Sequence, residues 1–374
     1  MNPRIALVAL LALAACGNDA STTITTMTTP DRTGSLAEVC PSTVVFQTDW
    51  FPQAEHGGLY ELVGDDYTVS KDAGTTAGSM VLDGEALGVN VEIRAGGPFI
   101  QSPVVTQMYQ DDAITMGYVG NDVAVARYAD APTVAVFNAL NVNPQVVLWD
   151  KARHPGAETL EEVLPEIDSL YVFGEPSWVK YLVGQGILDK DKVDSNYQGN
   201  LILATENVAH QGFLTSEPFS YRNLESGAIE TGSVLIHDLG WTSYPQNLAV
   251  RKDRLEELSP CLTELVPILQ RAQLNYLASP ERANAIIVDA VTTFDSYWQQ
   301  STESTAYSAE TQLSAGIIGN GDTPTFGDLE EPRVTEFIAK VTPILRESGI
   351  EVPEVTAIDI TDNSFLDPEI SFGG

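Results

Sequence analysis

The sequence predicts an α/β protein of two domains, and three observations carry that expectation. Apolar, β-branched runs alternate with segments of helical spacing through most of the first two-thirds of the chain, the pattern of strands and helices layered on a sheet. From Arg254 onward the spacing is helical throughout, so the C-terminal third reads as a helical layer on a sheet already built. Once a short apolar leader and a polar stretch are set aside, roughly 335 residues remain, more than one hydrophobic core usually serves.

At the amino end, Arg4 and an apolar run from Ile5 to Ala12 precede Leu13-Ala14-Ala15-Cys16. This run is far shorter than the roughly 20 residues that span a bilayer, and its small-residue end resembles a bacterial lipobox, in which the cysteine sulfur is acylated. Residues 1–15 are therefore expected to be a signal peptide and residues 16–38, rich in Thr, Ser, Asp and Gly, a lipidated tether. Acylated Cys16 would hold the protein at the extracytoplasmic face of the cell membrane. The other cysteines, Cys40 and Cys261, read as a disulfide in an oxidising compartment, closing a loop of 221 residues (261 − 40).

Period and β-branching predict strands at Thr43–Thr48, Val89–Ala95, Ala113–Val119, Thr133–Leu140, Gln145–Trp149, Leu170–Phe173, Leu201–Thr205, Ser233–His237 and Asn247–Arg251. Helical spacing appears at Val104–Gln110, Asp122–Tyr128, Leu160–Ile167, Trp178–Gln185 and Pro218–Leu224, then at Leu255–Leu277, Pro280–Phe294, Ser304–Ile317 and Pro332–Glu347. One lobe would comprise 41–138 plus 247–374 and the other 139–246, so the chain crosses twice between them. Two crossings make a hinge, and a hinge between α/β lobes makes a cleft that can close on a ligand.

The formal charge of −33, from 52 acidic and 19 basic residues, argues against nucleic acid or an anionic bilayer surface as partner and reads as a device for solubility. His56, His154, His210 and His237 are scattered, and no CxxC, HExxH, Gly-x-Ser-x-Gly or phosphate-binding loop occurs. Gly319-Asn320-Gly321-Asp322 lacks the spaced carboxylates of a calcium loop. No catalytic residue, metal or cofactor is expected, and nothing in the sequence calls for a dimer.

The stretch from Thr48 to Tyr60 reads as the wall of a small-molecule pocket. Trp50 and Tyr60 offer flat faces for a heteroaromatic ring; Gln53, Glu55 and His56 could read ring nitrogens and an exocyclic amine; Gly57 and Gly58 admit a close backbone approach. The competing reading is core packing of a Trp-Phe-Pro turn. In Phe173-Gly174-Glu175-Pro176-Ser177-Trp178 a strand gives way to a helix with Ser177 as its expected cap. Glu175, Ser177 and Trp178 become candidates beside the free amides, with plain capping as the alternative. Thr215-Ser216-Glu217-Pro218 repeats the design and offers Glu217 for a ligand hydrogen bond. Tyr118, Trp241 and Tyr244 are further candidate cleft liners.

Asp49-Trp50-Phe51-Pro52-Gln53-Ala54-Glu55-His56-Gly57-Gly58-Leu59-Tyr60 closely resembles the opening motif, D-W-x-P-N-x-x-H-x-G-x-Y, of solute-binding proteins for thiamine pyrimidine precursors. It departs at Gln53, where Asn is usual, which keeps the amide but moves it by one methylene. Broader echoes of the sulfonate, nitrate and riboflavin binders lie in Thr159-Leu160-Glu161-Glu162, Gly212–Phe219 and Leu239–Pro245. The resemblance implies a two-lobed type II periplasmic-binding-protein fold, with two crossover strands and the helical C-terminal layer, that hands a small heteroaromatic ligand to an ABC permease. It leaves riboflavin, a sulfonate such as taurine, or nitrate as alternative ligands, and a ligand-sensing lipoprotein as an alternative role. A pyrimidine synthase of the same branch would need a cysteine-rich iron site, which this sequence lacks.

Overall fold

The computed structural model describes residues 35–373. The expected signal peptide, Cys16 and most of the tether lie outside them. Leu36, within the stretch expected to be tether, is fully buried and its N–H donates to the Leu87 carbonyl (3.0 Å), so the fold has begun by that residue.

Seven strands form the first sheet: β1 (Thr43–Gln47), β2 (Thr68–Ser70), β3 (Thr75–Leu82), β4 (Glu85–Arg94), β5 (Met116–Val119), β6 (Thr133–Asn138) and, after the second sheet, β12 (Asn247–Arg251). The second sheet comprises β7 (Gln145–Asp150), β8 (Leu170–Tyr171), β9 (Val193–Asp194), β10 (Ala209–Phe213) and β11 (Thr231–Leu235). Their orders are β2-β3-β4-β1-β5-β12-β6 and β11-β7-β10-β8-β9. β1 runs parallel to both β4 and β5, whereas β12 returns antiparallel between β5 and β6. β5, inside the sheet, is buried along its whole length, as a sheet covered on both faces requires, and so is β6, although it ends the strand order.

The helices are α1 (Gly57–Glu61), α2 (Val104–Gln110), α3 (Asn121–Ala126), α4 (Leu160–Val163), α5 (Ser177–Gly184), α6 (Glu217–Arg222), α7 (Leu255–Ala278), α8 (Glu281–Phe294), α9 (Thr302–Ser314), α10 (Glu331–Glu347) and α11 (Ala357–Ile360). Thr159 and Glu162 close a capping box at the start of α4. Among the described residues no helix is long and apolar enough to cross a membrane.

Several strand assignments differ from the sequence reading. Leu201–Thr205 is a 3-10 turn whose Ile202 and Leu203 are buried against Tyr221, and the neighbouring strand is β10 instead. β10 was masked by its polar residues, because His210 and Gln211 are both buried and satisfied: the His210 ring bonds the Tyr221 hydroxyl (2.8 Å) and the Gln211 carbonyl (2.7 Å), and the Gln211 side-chain oxygen accepts from the Phe173 N–H (3.3 Å). Burial lowers the His210 pKa to about 4, so the ring is neutral. β2 and β3, rich in Thr, Gly and Ser, carry too little apolar alternation to be read as strands.

Cys40 and Cys261 are bonded, with Cα atoms 4.6 Å apart, which pins the start of the fold to α7. A loop of 221 residues gives about 5 kcal/mol as the chain-entropy ceiling. Replacing both cysteines with Ala is expected to cost about 2–5 kcal/mol, read as a fall in the midpoint of a urea unfolding curve.

The chain passes from β6 to β7 through residues 139–144 and returns from β11 to β12 through residues 236–246. α10 closes over both crossings. Its Arg333 donates to the Asn141 carbonyl (2.8 Å) and side-chain oxygen (3.0 Å) on the first crossing and to the Thr242 carbonyl (3.0 Å) on the second. Asn143 ties the crossings directly through Ser243 Oγ (3.2 Å). α10 also packs on α5, so the helical layer, expected on the first lobe alone, reaches the second sheet as well.

Candidate ligand-binding cleft

A cavity of about 480 Å³ opens beyond the carboxyl ends of β1, β4 and β5, lined by Asp49, Gly97, Ile100 to Val104, Tyr118 to Gly120, Asp122, Val123 and Pro245. This is where open α/β sheets place ligands, and the size suits a small organic molecule.

Asp49 follows β1 and is its best-positioned polar group. Its carboxylate accepts from His56 Nε2 (3.1 Å) and Gln246 Nε2 (3.2 Å) while its side chain stays about one-third exposed. His56 is wholly buried, with its ring stacked on Tyr118 at 5.2 Å between centroids, so imidazole and phenol brace each other behind the carboxylate. Gln246 arrives from the second crossing, which couples the site to the hinge. Asp122 sits at the start of α3, where burial raises its carboxyl pKa against the pull of backbone N–H groups. Among the described lining residues the ionisable groups are the Asp49 and Asp122 carboxyls and the Tyr118 phenol, with no Lys or Arg.

Trp50 lies at the cleft margin, half-buried, with its indole edge-on to Phe51 (5.8 Å) and Trp298 (6.0 Å). The backbone of Gly97 crosses this ring; a Cβ there would stand 3.0 Å from the indole, and its φ of +57° also favours glycine. Gln53 is half-buried at the turn before α1 and caps it with its carbonyl, not its amide. Glu55 is buried and accepts a short hydrogen bond from the Thr215 hydroxyl across the gap between lobes.

The aromatic candidates divide differently from the sequence reading. Tyr118 lines the cavity, but Tyr60, Trp178, Trp241 and Tyr244 belong to the cores. Tyr60 packs beneath the first sheet, Trp178 in the second lobe, Trp241 edge-on to Phe337 (4.9 Å), and Tyr244 under the Arg333 guanidinium (3.7 Å). A large flat side chain serves a core as well as a pocket, and local sequence does not distinguish them. Ser177 is the first residue of α5 and not its cap; that position falls to Pro176, and no side chain caps the helix. Glu175 faces solvent beside Lys180 (3.5 Å). Gly57 and Gly58 admit α7, not a ligand, since a Cβ on either would run into Tyr276 or Gln273.

Glu217 bonds the Phe213 N–H (2.6 Å), and burial pushes its pKa up to about 7, with the Glu55 carboxyl adding to the rise. Phe173 and Phe213, at the carboxyl ends of β8 and β10, are large apolar side chains left 45 % and 38 % exposed, which marks this edge of the second sheet as an unfilled surface. Asp49, Gln246, Asp122, Thr215 and these two phenylalanines were not singled out from the sequence. Asp49 had a signal as the first residue of the motif, and Thr215, Phe213 and Phe173 lay in stretches quoted for other residues. Among the described residues no group of three or more His, Cys, Asp or Glu is placed to hold a metal ion.

No protein-family model matches the sequence, and no curated protein matches it either. Solved structures do resemble it in three dimensions. The periplasmic aliphatic sulphonate binding protein SsuA from Escherichia coli is 14% identical with a TM-score of 0.53, over 85% of this chain and 91% of that one. The zinc-bound ligand-binding component of an ABC-type import system from Staphylococcus aureus is 12% identical with a TM-score of 0.52, over 86% and 97%. The periplasmic nitrate-binding protein NrtA from Synechocystis PCC 6803 is 13% identical with a TM-score of 0.50, over 87% of each. At such identities the likeness speaks for architecture, and with the two sheets, the double crossing and the cleft it establishes that this chain has the type II periplasmic-binding-protein fold.

Proposed function

We propose that the protein is an extracytoplasmic solute-binding lipoprotein of an ABC importer, anchored through acylated Cys16, that captures a small amine-bearing heteroaromatic ring of the thiamine pyrimidine precursor class. The observation that carries the ligand class is the charge of the cavity wall. Asp49 is held ready to accept a hydrogen bond, Asp122 also lines the cavity, and no basic side chain among the described lining residues offsets them. An amino group or protonated ring nitrogen is well served there, because charge-assisted hydrogen bonds are about twice as strong as neutral ones. A sulfonate or nitrate ion would meet like charge on desolvation, which disfavours it. Tyr118 and the margin at Trp50 supply aromatic surface for the ring. Opening and closing would pivot on the crossings at 139–144 and 236–246, between lobes of 41–138 plus 247–374 and 139–246. The role is binding, and no catalytic group is assigned.

Calorimetric titration of the purified protein with hydroxymethylpyrimidine and formylaminopyrimidine tests this. Binding at about micromolar Kd or tighter, roughly 8 kcal/mol, is expected for one of them, with no heat from taurine or nitrate. Heat from taurine or nitrate and none from either pyrimidine overturns the ligand class and leaves the fold untouched.

A further inference from the structure

α9 and the 3-10 turn at Ala54–His56 belong to the first lobe, α6 and the residues just before it to the second, and they meet in a contact that does not involve α10. Two successive residues of the second lobe are gripped there. The Leu214 carbonyl accepts from the Tyr307 hydroxyl of α9 (3.1 Å), and the Thr215 hydroxyl donates to Glu55 in the turn. α6 then lays two more groups against the Tyr307 ring, Phe219 at 5.5 Å between centroids and the Arg222 guanidinium at 4.8 Å. We infer that Tyr307 is a positioning residue for ligand capture: with Glu55 it forms a clasp on Leu214, Thr215 and α6 that favours the closed arrangement of the lobes and so tightens binding from outside the cavity. The clasp rests on the two-lobed hinge proposed above and is independent of which ligand the cavity takes.

Tyr307 is placed for this contact and not for the packing of its own helix. A capping box of Ser301 and Ser304 fixes the start of α9, and Thr305, Ser308, Ala309 and Gln312, at helical spacing, form its buried face. Tyr307 stands off that face, half-buried, and its hydrogen bond and ring contacts are all with the second lobe. Arg222 is exposed and, among the described residues, pairs with no carboxylate, although the chain carries a net charge of −33. Its guanidinium lies over the phenol instead, where the ring quadrupole attracts it, while the hydroxyl of the same ring remains free to donate to Leu214. Opening draws α6 away from α9 and the loop away from Glu55, so these contacts are lost together.

Apparent affinity scales with the population of the form that holds the ligand, so a contact that raises this population tightens binding without touching the ligand. Tyr307→Ala removes a hydrogen bond, a cation–π contact and an aromatic contact, and the closing equilibrium is expected to fall roughly 10- to 100-fold. Tyr307→Phe keeps the ring under Arg222 and loses only the bond to Leu214; its fall should be roughly 2- to 10-fold.

Ligand-free protein, full length with Cys16→Ser, is spin-labelled at Asp65→Cys and Glu206→Cys, one exposed position on each lobe, and the distance between labels is measured by pulsed electron resonance. The otherwise wild-type chain is expected to favour the shorter distance. A longer-distance population should appear in Tyr307→Phe and grow in Tyr307→Ala. A Tyr307→Ala distribution that matches the wild type overturns the clasp. Arg333→Met, which frees the crossings, separates the two ways of failing: if it lengthens the distance and Tyr307→Ala does not, the hinge stands and the clasp alone falls; if neither does, the hinge falls as well. No ligand enters the measurement, so its outcome is separate from that of the calorimetry.

Discussion

Replacing Asp49 with Ala is expected to weaken binding of the pyrimidine ligand by roughly 10- to 150-fold, the range for a lost hydrogen bond to a charged acceptor. The effect is large because the carboxylate is the one cavity acid with two buried donors, His56 Nε2 at 3.1 Å and Gln246 Nε2 at 3.2 Å, aimed at it. The same change leaves those donors without an acceptor, so thermal stability should fall by about 1–3 kcal/mol. Asp49→Asn separates the contributions. Its amide oxygen can still accept from His56 or Gln246, but the charge is gone; stability should largely return while affinity stays low. Calorimetric Kd and the unfolding midpoint of both variants check this, and equal affinity for wild type and Asp49→Ala would remove Asp49 from the site.

Arg333→Met should be the most destabilising single change outside the cores, by about 2–3 kcal/mol. The guanidinium satisfies carbonyls on both crossings and lies 3.7 Å over the Tyr244 ring. Methionine restores the apolar stem but none of the donors, so the Asn141 and Thr242 carbonyls lose their partner. Arg333→Lys should rescue little, because one ammonium cannot present the fork that spans two segments. Differential scanning calorimetry measures the loss. A second consequence follows at the hinge, where the crossings are no longer held in register; Gln246, three residues beyond Ser243, should orient Asp49 less well and the ligand Kd should rise alongside.

Much of the fold was legible because buried strands carry long apolar runs. Val44 to Phe46, Val134 to Phe137 and Val146 to Trp149 are each buried, and each announces itself by composition. β10 did not, since two of its buried residues are polar and the satisfaction of His210 by Tyr221 depends on a helix reached later in the chain. The candidate site was legible only in part. The motif from Asp49 to Tyr60 begins at the same end of the first sheet as the candidate cavity, yet which of its side chains face that cavity depends on α7 pressing on Gly57 and Gly58, and on Gln246 arriving from the return crossing. Trp241 and Tyr244 were drawn toward the ligand by their chemistry, but α10 covers them, and nothing near either residue encodes that helix.

The bond between Cys40 and Cys261 sets a timetable for biosynthesis. The earlier thiol leaves the ribosome 221 residues ahead of its mate, while the whole inserted sheet is made in between. That sheet draws its strands from one unbroken segment, Gln145 to Leu235, and can assemble as a unit before the first sheet receives β12. Oxidation must therefore wait for the returning chain, and a sealed bridge certifies a molecule whose long detour is complete.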